Sequence, residues 1–123
     1  MSEVSLAAFV ELVKTYRYSV ASEDSFQRGV EQVLHRNDIP FLREYPLGPE
    51  FGRIDFYLPR QKLGIELKVK GSPSQVLRQL HRYAQSPDVD ALILLTARAG
   101  LSFPPMRMNG REIFTVPVWE GQL

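Results

Sequence analysis

Three side chains in this sequence could carry out hydrolytic chemistry together: Asp55, Glu66 and Lys68. They lie on two short runs that flank a turn at Pro59-Arg60-Gln61-Lys62. In the first run Ile54, Phe56 and Leu58 alternate with Arg53, Asp55 and Tyr57. In the second, Leu63, Ile65, Leu67 and Val69 alternate with Gly64, Glu66, Lys68 and Lys70. A period of two predicts β-strands with one apolar and one polar face. If the turn centres on Arg60 and Gln61, residues whose numbers sum to 121 face each other, and Asp55 stands opposite Glu66. Opposed residues hold their Cβ atoms about 4.5–5.5 Å apart, where like charges repel. A divalent cation turns that repulsion into coordination, because hard ions such as Mg²⁺ take oxygen ligands, with waters and a substrate phosphate completing the shell. Lys68 follows Glu66 by two residues and points to the same face. Its ammonium can hold a scissile phosphate, lower the pKa of an attacking water or stabilise developing negative charge. With a Lewis-acidic metal these are the parts of a phosphodiesterase. The same residues could instead form a Glu66–Lys68 or Asp55–Lys68 ion pair on a solvated face.

The surrounding elements must bring these residues together. Leu6, Phe9, Val10, Val13 and Tyr16 recur at helical spacing over residues 6–17. Ser22 reads as the N-cap of a second helix, with Glu23 and Asp24 in its first turn, where the helix dipole favours acids. Phe26, Val30, Val33 and Leu34 form its apolar stripe, and Pro40 stops it near Asn37. Phe41 to Leu47 is a first extended run, before Gly48, Pro49 and Gly52. After Lys70, Gly71-Ser72-Pro73 opens a helix whose apolar side is Val76, Leu77, Leu80 and Ala84, ending before Pro87. Ala91 to Thr96 reads as a strand buried on both faces. Asn109-Gly110 predicts a hairpin within 107–111. Ile113 to Trp119 is the last strand, with Pro117 suggesting an edge. A helical crossover between the third and fourth strands makes that pair parallel within a mixed sheet, an α/β arrangement.

Composition narrows the classes. The chain has 123 residues, enough for one domain over 1–123, with 44% hydrophobic and 24% charged residues, as in a globular protein. Without cysteine there are no disulfides, thiolate zinc sites, iron–sulfur clusters or cysteine nucleophiles, in keeping with a reducing cytoplasm. His35 and His81 are the only histidines, too few for a histidine-rich metal site. No apolar run approaches the roughly 20 residues of a membrane span, residues 1–20 do not read as a signal peptide, and no membrane partner is expected. Net charge is +1, but residues 60–83 hold six Lys/Arg against one acid, whereas residues 1–50 hold five against eight. A basic segment on a near-neutral chain can face phosphates, or be solvated strand and helix faces. Walker, G-x-S-x-G and H-E-x-x-H motifs are absent.

Gly52-Arg53-Ile54-Asp55, ten residues, then Glu66-Leu67-Lys68 resembles the PD-(D/E)XK, or restriction-endonuclease-like, nuclease superfamily. Gln79-Leu80-His81-Arg82-Tyr83 is similar to the Gln-apolar-x-x-Tyr signature of its RecB-like and lambda-exonuclease-like members, and Gln75, Gln79 and Tyr83 form one stripe. The resemblance implies an αβββαβ core from Ser22 to Thr96, a central mixed sheet flanked by helices, with an additional N-terminal helix and a C-terminal hairpin. It implies that Asp55, Glu66 and the Leu67 carbonyl hold Mg²⁺ or Mn²⁺, that Lys68 positions or activates water, and that Gln79 and Tyr83 orient substrate. Arg53, Lys70, Gln75, Arg78 and Arg82 are the DNA-binding candidates. The family often places a glutamate on the helix before the strands; in this chain that position is Gln27, with Glu23 a turn earlier and Glu31 a turn later. A glutamine carbonyl can hold a metal-bound water but adds no charge, which favours one ion over two. Small stand-alone members, of the VRR-NUC and Holliday-junction-resolvase kinds, act on DNA structure, commonly as homodimers. The expectation is therefore a cytoplasmic, structure-selective deoxyribonuclease of prokaryotic, viral or plasmid origin, acting on branched or flapped DNA. The alternatives are a non-catalytic DNA-binding subunit, or a nuclease that needs a replication or recombination partner.

Overall fold

The computed structural model describes residues 4–121; the two ends of the 1–123 reading, residues 1–3 and 122–123, lie outside the described residues. Among the described residues each α-helix opens on a serine whose hydroxyl accepts a first-turn backbone N–H. Ser5 starts α1 (Leu6–Lys14), Ser22 starts α2 (Glu23–Arg36) and Ser72 starts α3 (Pro73–Tyr83). These caps satisfy donors that no helical carbonyl can reach. At α2 the cap is reciprocal, because Ser22 N–H donates to the Ser25 hydroxyl.

In chain order the strands are β1 (Arg17–Tyr18), β2 (Leu42–Pro46), β3 (Arg53–Leu58), β4 (Leu63–Lys68), β5 (Ala91–Thr96), β6 (Met106–Met108), β7 (Arg111–Pro117) and β8 (Trp119–Glu120). Six of them form one mixed sheet in the order β2-β3-β4-β5-β7-β6. The β2/β3, β3/β4 and β6/β7 pairs are antiparallel, and β4/β5 and β5/β7 are parallel. Helices cover both faces. Phe9, Val13, Phe26, Val30 and Leu34 of α1 and α2 pack against Phe56, Leu58, Ile65, Leu67, Ile93 and Leu95. Val76, Leu80 and Tyr83 of α3 pack against Ile54, Tyr57, Leu92 and Leu94. The result is an α/β/α layering, and no helix among the described residues is long and apolar enough to cross a membrane.

The β3/β4 register agrees with the turn geometry: Phe56 faces Ile65, Tyr57 faces Gly64 and Leu58 faces Leu63. Five expectations need correction. Ile54 does not share a face with Phe56 and Leu58 but packs on the α3 side with Tyr57. The face of β3 and β4 expected to be polar is largely buried, because α3 lies across it; Tyr57, Gly64 and Glu66 are all inside. The first helix stops at Lys14 and not at 17, where the Thr15 amide and hydroxyl both bond Leu12 O. Arg17–Tyr18 is instead a short strand paired in parallel with Trp119–Glu120, a long-range contact that local periodicity cannot show. Finally, β7 is not an edge. Pro117 is its last residue and lies beyond the reach of β6, which pairs only as far as Ile113; Val118 N makes the regular bond to Thr96 O, so the proline nitrogen faces the locally uncovered side, where no N–H is needed.

Gly64 shows how tightly the strand side chains close over this face of the sheet. A Cβ there would stand 2.6 Å from Ile54 Cδ1 and 2.8 Å from Leu92 Cδ2, and both side chains are fully buried. Gly64→Ala is therefore expected to destabilise by about 1–3 kcal/mol through overpacking, measured by urea unfolding. An unchanged midpoint would mean that this layer is looser than the contacts indicate.

Candidate active site

The pairing ladders skip Asp55 on both sides. Across β2/β3, Arg43 pairs with Phe56 and Tyr45 with Ile54, while the intervening Glu44 has φ +52°. Across β3/β4 the ladder ends at Phe56–Ile65. A non-glycine residue in the left-handed region disrupts regular pairing, as at a bulge. Where the ladder opens, Asp55 Oδ2 accepts the Leu67 amide at 2.9 Å. Amide and carbonyl of one extended residue leave the strand on the same side, so the Leu67 carbonyl leaves β4 on the side facing Asp55.

Glu66 is only 4% exposed. Its Oε2 is 3.3 Å from Lys68 Nζ, and its Oε1 is buried with no hydrogen-bond partner among the described residues. The ion pair weighed above thus exists, but within β4 and in the interior, not on a solvated face. Burial pushes the Glu66 carboxyl up to about 8; the nearby Asp55 charge adds to this and the Lys68 ammonium opposes it. Burial also lifts Asp55 to about 6, against the Leu67 amide bond that stabilises its ionised form, with Glu23 raising it further. Glu66 thus meets the Asp55 charge in a poorly solvated space, whereas Asp55 is lifted by burial with Glu23 and Glu44.

The face of α2 supplies the next layer. Gln27 Nε2 donates to Asp55 Oδ1 at 3.2 Å, and Gln27 Oε1 accepts from Arg43 Nη2 at 2.7 Å. An arginine can only donate, so it determines which way the amide points. The glutamine carbonyl is thereby committed to Arg43, and the group offered to Asp55 is a donor. Glu31 accepts from the other Arg43 nitrogen at 2.7 Å and so belongs to the Arg43 bracket. Glu23 Oε2 accepts the Val69 amide at 3.2 Å, which ends β4 at Lys68. Arg43 is the residue that sequence reasoning missed; its relation to Gln27 depends on the β2/β3 register, for which the intervening loop carries no simple rule.

On the α3 side Gln79 and Tyr83 come together as their spacing predicts. Gln79 Nε2 donates to the Tyr83 hydroxyl at 2.9 Å, and that hydroxyl donates to Arg53 O at 2.9 Å. Tyr83 is buried, and burial together with the charges of Glu66 and Asp55 raises its pKa well above the ordinary tyrosine value. Its hydroxyl donates to Arg53 O and so braces the backbone two residues before Asp55, while lying close enough to Glu66 for that carboxylate to raise its pKa. Gly52, at φ +93°, adopts a backbone conformation that a side chain would strain, although a Cβ there would only touch the Tyr83 ring at 3.4 Å. The Arg53 side chain turns to Glu44, at 3.3 Å.

Lys68 opens into a cleft of about 350 Å³ lined by Lys70, Gln75, Arg78, Gln79 and Arg82. The structure thus gathers Lys70, Gln75, Arg78 and Arg82 beside Lys68, and leaves Arg53 outside that lining. Lys70 and Arg78 have no ion-pair or hydrogen-bond partner among the described residues, and Arg82 only lies over the Tyr83 ring, 6.0 Å from its centre.

Among the described residues no three His, Cys, Asp or Glu side chains converge as a metal cage. The donors present are two carboxylates and a strand carbonyl, and the orphaned Glu66 Oε1 is the feature that fits a hard cation. A buried carboxylate oxygen with no protein donor is costly unless an ion or a water satisfies it. In comparisons with known proteins, no family model, no curated protein and no solved structure matches this chain.

Proposed function

We propose that this chain is a metal-dependent nuclease that hydrolyses DNA phosphodiesters. One observation carries the reading: half-buried Asp55 and buried Glu66 stand behind Lys68, which pairs with Glu66 and lines a cleft whose other cations lack acid partners among the described residues. Elsewhere most cations are paired, as in Arg28–Asp24, Arg43–Glu31 and Arg107–Glu112. Leaving the cleft cations unpaired costs little in water and keeps them available for an anionic ligand. The order α2-β2-β3-β4-α3-β5 and the placement of Gln79 and Tyr83 support the resemblance to PD-(D/E)XK nucleases.

In this reading Asp55, Glu66 and the Leu67 carbonyl hold Mg²⁺ or Mn²⁺, which when bound supplies a Lewis acid and an activated water. Lys68 holds the scissile phosphate and stabilises the charge that develops on it. Gln27, oriented by Arg43, holds Asp55 in place, and the Gln79–Tyr83 pair fixes the strand that carries it. Lys70, Arg78 and Arg82 grip the flanking phosphates. The deciding experiment is incubation with linear, nicked, flapped and four-way DNA in Mg²⁺, Mn²⁺ or EDTA. Cutting in metal and none in EDTA is expected; no cutting of any substrate would sink the proposal.

DNA affinity should also fall steeply with salt, as phosphate contacts release counterions. Charge reversal at Arg78 and Arg82 together should lower the slope of log affinity against log salt by about 2 or more, in fluorescence anisotropy titrations. An unchanged slope would remove this cleft from the DNA path.

A further inference from the structure

Trp119 is the only tryptophan of the chain. It is 64% exposed, although Val116 and Val118 just before it are buried. A large apolar ring left in water at the end of a packed strand often marks a binding surface. Trp119 forms one wall of a groove of about 420 Å³, whose other walls include Arg98, Ser102, Pro117 and Glu120. That volume lies within the range of small-ligand clefts.

The groove lies at the same end of the sheet as the candidate active site. Lys68 pairs with Thr96, and Thr96 pairs with Pro117, along the parallel strands β4, β5 and β7. Two strand spacings put the Lys68 and Pro117 backbones about 10 Å apart. At about 3.4 Å of rise per nucleotide along one strand, this is the span of roughly three stacked nucleotides. Arg98 and Trp119 each stand two residues beyond this row. Arg98 makes no side-chain ion pair or hydrogen bond among the described residues. The groove nevertheless holds one cation and one acid, so it is no phosphate clamp. What it offers is an exposed indole and, in the lining of the same groove, a guanidinium with no partner among the described residues, the two groups that stack on an unpaired base.

Resting on the nuclease reading, we propose that Trp119 and Arg98 form a stacking platform for an unpaired nucleobase of the strand that leaves the cleft. The substrate then carries a single-stranded segment a few nucleotides from the cut. Inside a duplex the bases stay stacked on one another, and only the terminal pairs have a face to give the indole.

The sole tryptophan makes the test direct. Metal-free protein in EDTA is titrated with an eight-residue oligothymidylate and with a blunt duplex, following tryptophan emission and the anisotropy of labelled DNA. Oligothymidylate should quench the emission; the duplex should bind with little quenching. Trp119→Ala should weaken oligothymidylate binding by about 5- to 100-fold, Trp119→Phe should recover most of it, and duplex affinity should change by less than about twofold. The platform is overturned if bound oligothymidylate leaves the emission unchanged, if Trp119→Ala binds it as well as the wild type, or if duplex binding falls equally. It is also overturned if the protein is a dimer that Trp119→Ala converts to monomers, since Trp119 would then cover a second copy. A wild type that passes these tests but cuts no DNA in Mn²⁺ keeps the platform and loses the nuclease. One that cuts flapped DNA but fails them loses the platform alone.

Discussion

Lys68→Ala is expected to slow DNA cutting by about 10²–10⁴-fold, the range for removing a group that transfers protons or stabilises charge in the transition state. Lys68 has two jobs in the structure. Its ammonium sits 3.3 Å from Glu66 Oε2 and lowers that carboxyl's pKa, and it also lines the cleft through which phosphates would approach. Removing it lets Glu66 rise further, which weakens cation binding at neutral pH as a side effect. Single-turnover cutting should therefore be compared at saturating Mn²⁺, whose binding keeps Glu66 ionised in either protein. Under those conditions the remaining loss belongs to the reaction and not to the ion. DNA affinity in EDTA should drop only severalfold, as for the loss of one phosphate contact. A mutant that cuts at the wild-type rate would leave Lys68 as a structural partner of Glu66 and nothing more.

Without metal, the protein should become less stable as pH rises through the neutral range. Glu66 is held up at about 8 and Asp55 at about 6 by burial, so the fold keeps protons that the unfolded chain releases near pH 4. For groups shifted in this direction the contribution to stability is complete below the unfolded values. It is lost progressively as pH rises to the folded ones, here over about pH 4 to 8. Other groups titrate as well, and the comparison that isolates the site is wild type against Glu66→Gln, a neutral side chain of the same shape. In EDTA the two should melt together near pH 5. Near pH 9 the glutamine variant should be more stable by about 2–4 kcal/mol, roughly 10 °C for a chain of this size. Mn²⁺ at a hundred times its dissociation constant should add about 2.7 kcal/mol to the wild type at the higher pH and little to the variant. A wild type whose melting temperature ignores both pH and Mn²⁺ would mean that Asp55 and Glu66 are neither coupled nor a cation site.

Asp55→Asn is a less clean probe. Asp55 accepts from both Leu67 N and Gln27 Nε2. An asparagine can supply only one acceptor, and Gln27 cannot turn over without losing Arg43. The loss of one bond offsets part of the relief of charge, so Glu66 is the better place to measure it.

Much of this arrangement was legible because its causes are local. The Ser22 and Ser72 caps, the stop near Asn37 before Pro40, the Asn109-Gly110 turn and the strand alternation each depend on a few neighbouring residues. The turn at Arg60 and Gln61 carried the β3/β4 register with it, since hairpin length sets which residues oppose. That register stops short of the site: Asp55, read as standing opposite Glu66, lies beyond the ladder and accepts the Leu67 amide, while helical spacing did bring Gln79 to Tyr83. What the sequence could not show was burial, and burial decides the chemistry. Alternation marks which residues share a face but not what covers it; only the docking of α3 turned a face read as solvated into an interior that lifts Glu66 to about 8. Nor could it show the Arg43–Gln27–Asp55 chain or the β1/β8 pair. Those contacts join residues 12 or more apart whose meeting is set by how helices and sheet pack, and packing is a property of all the layers together.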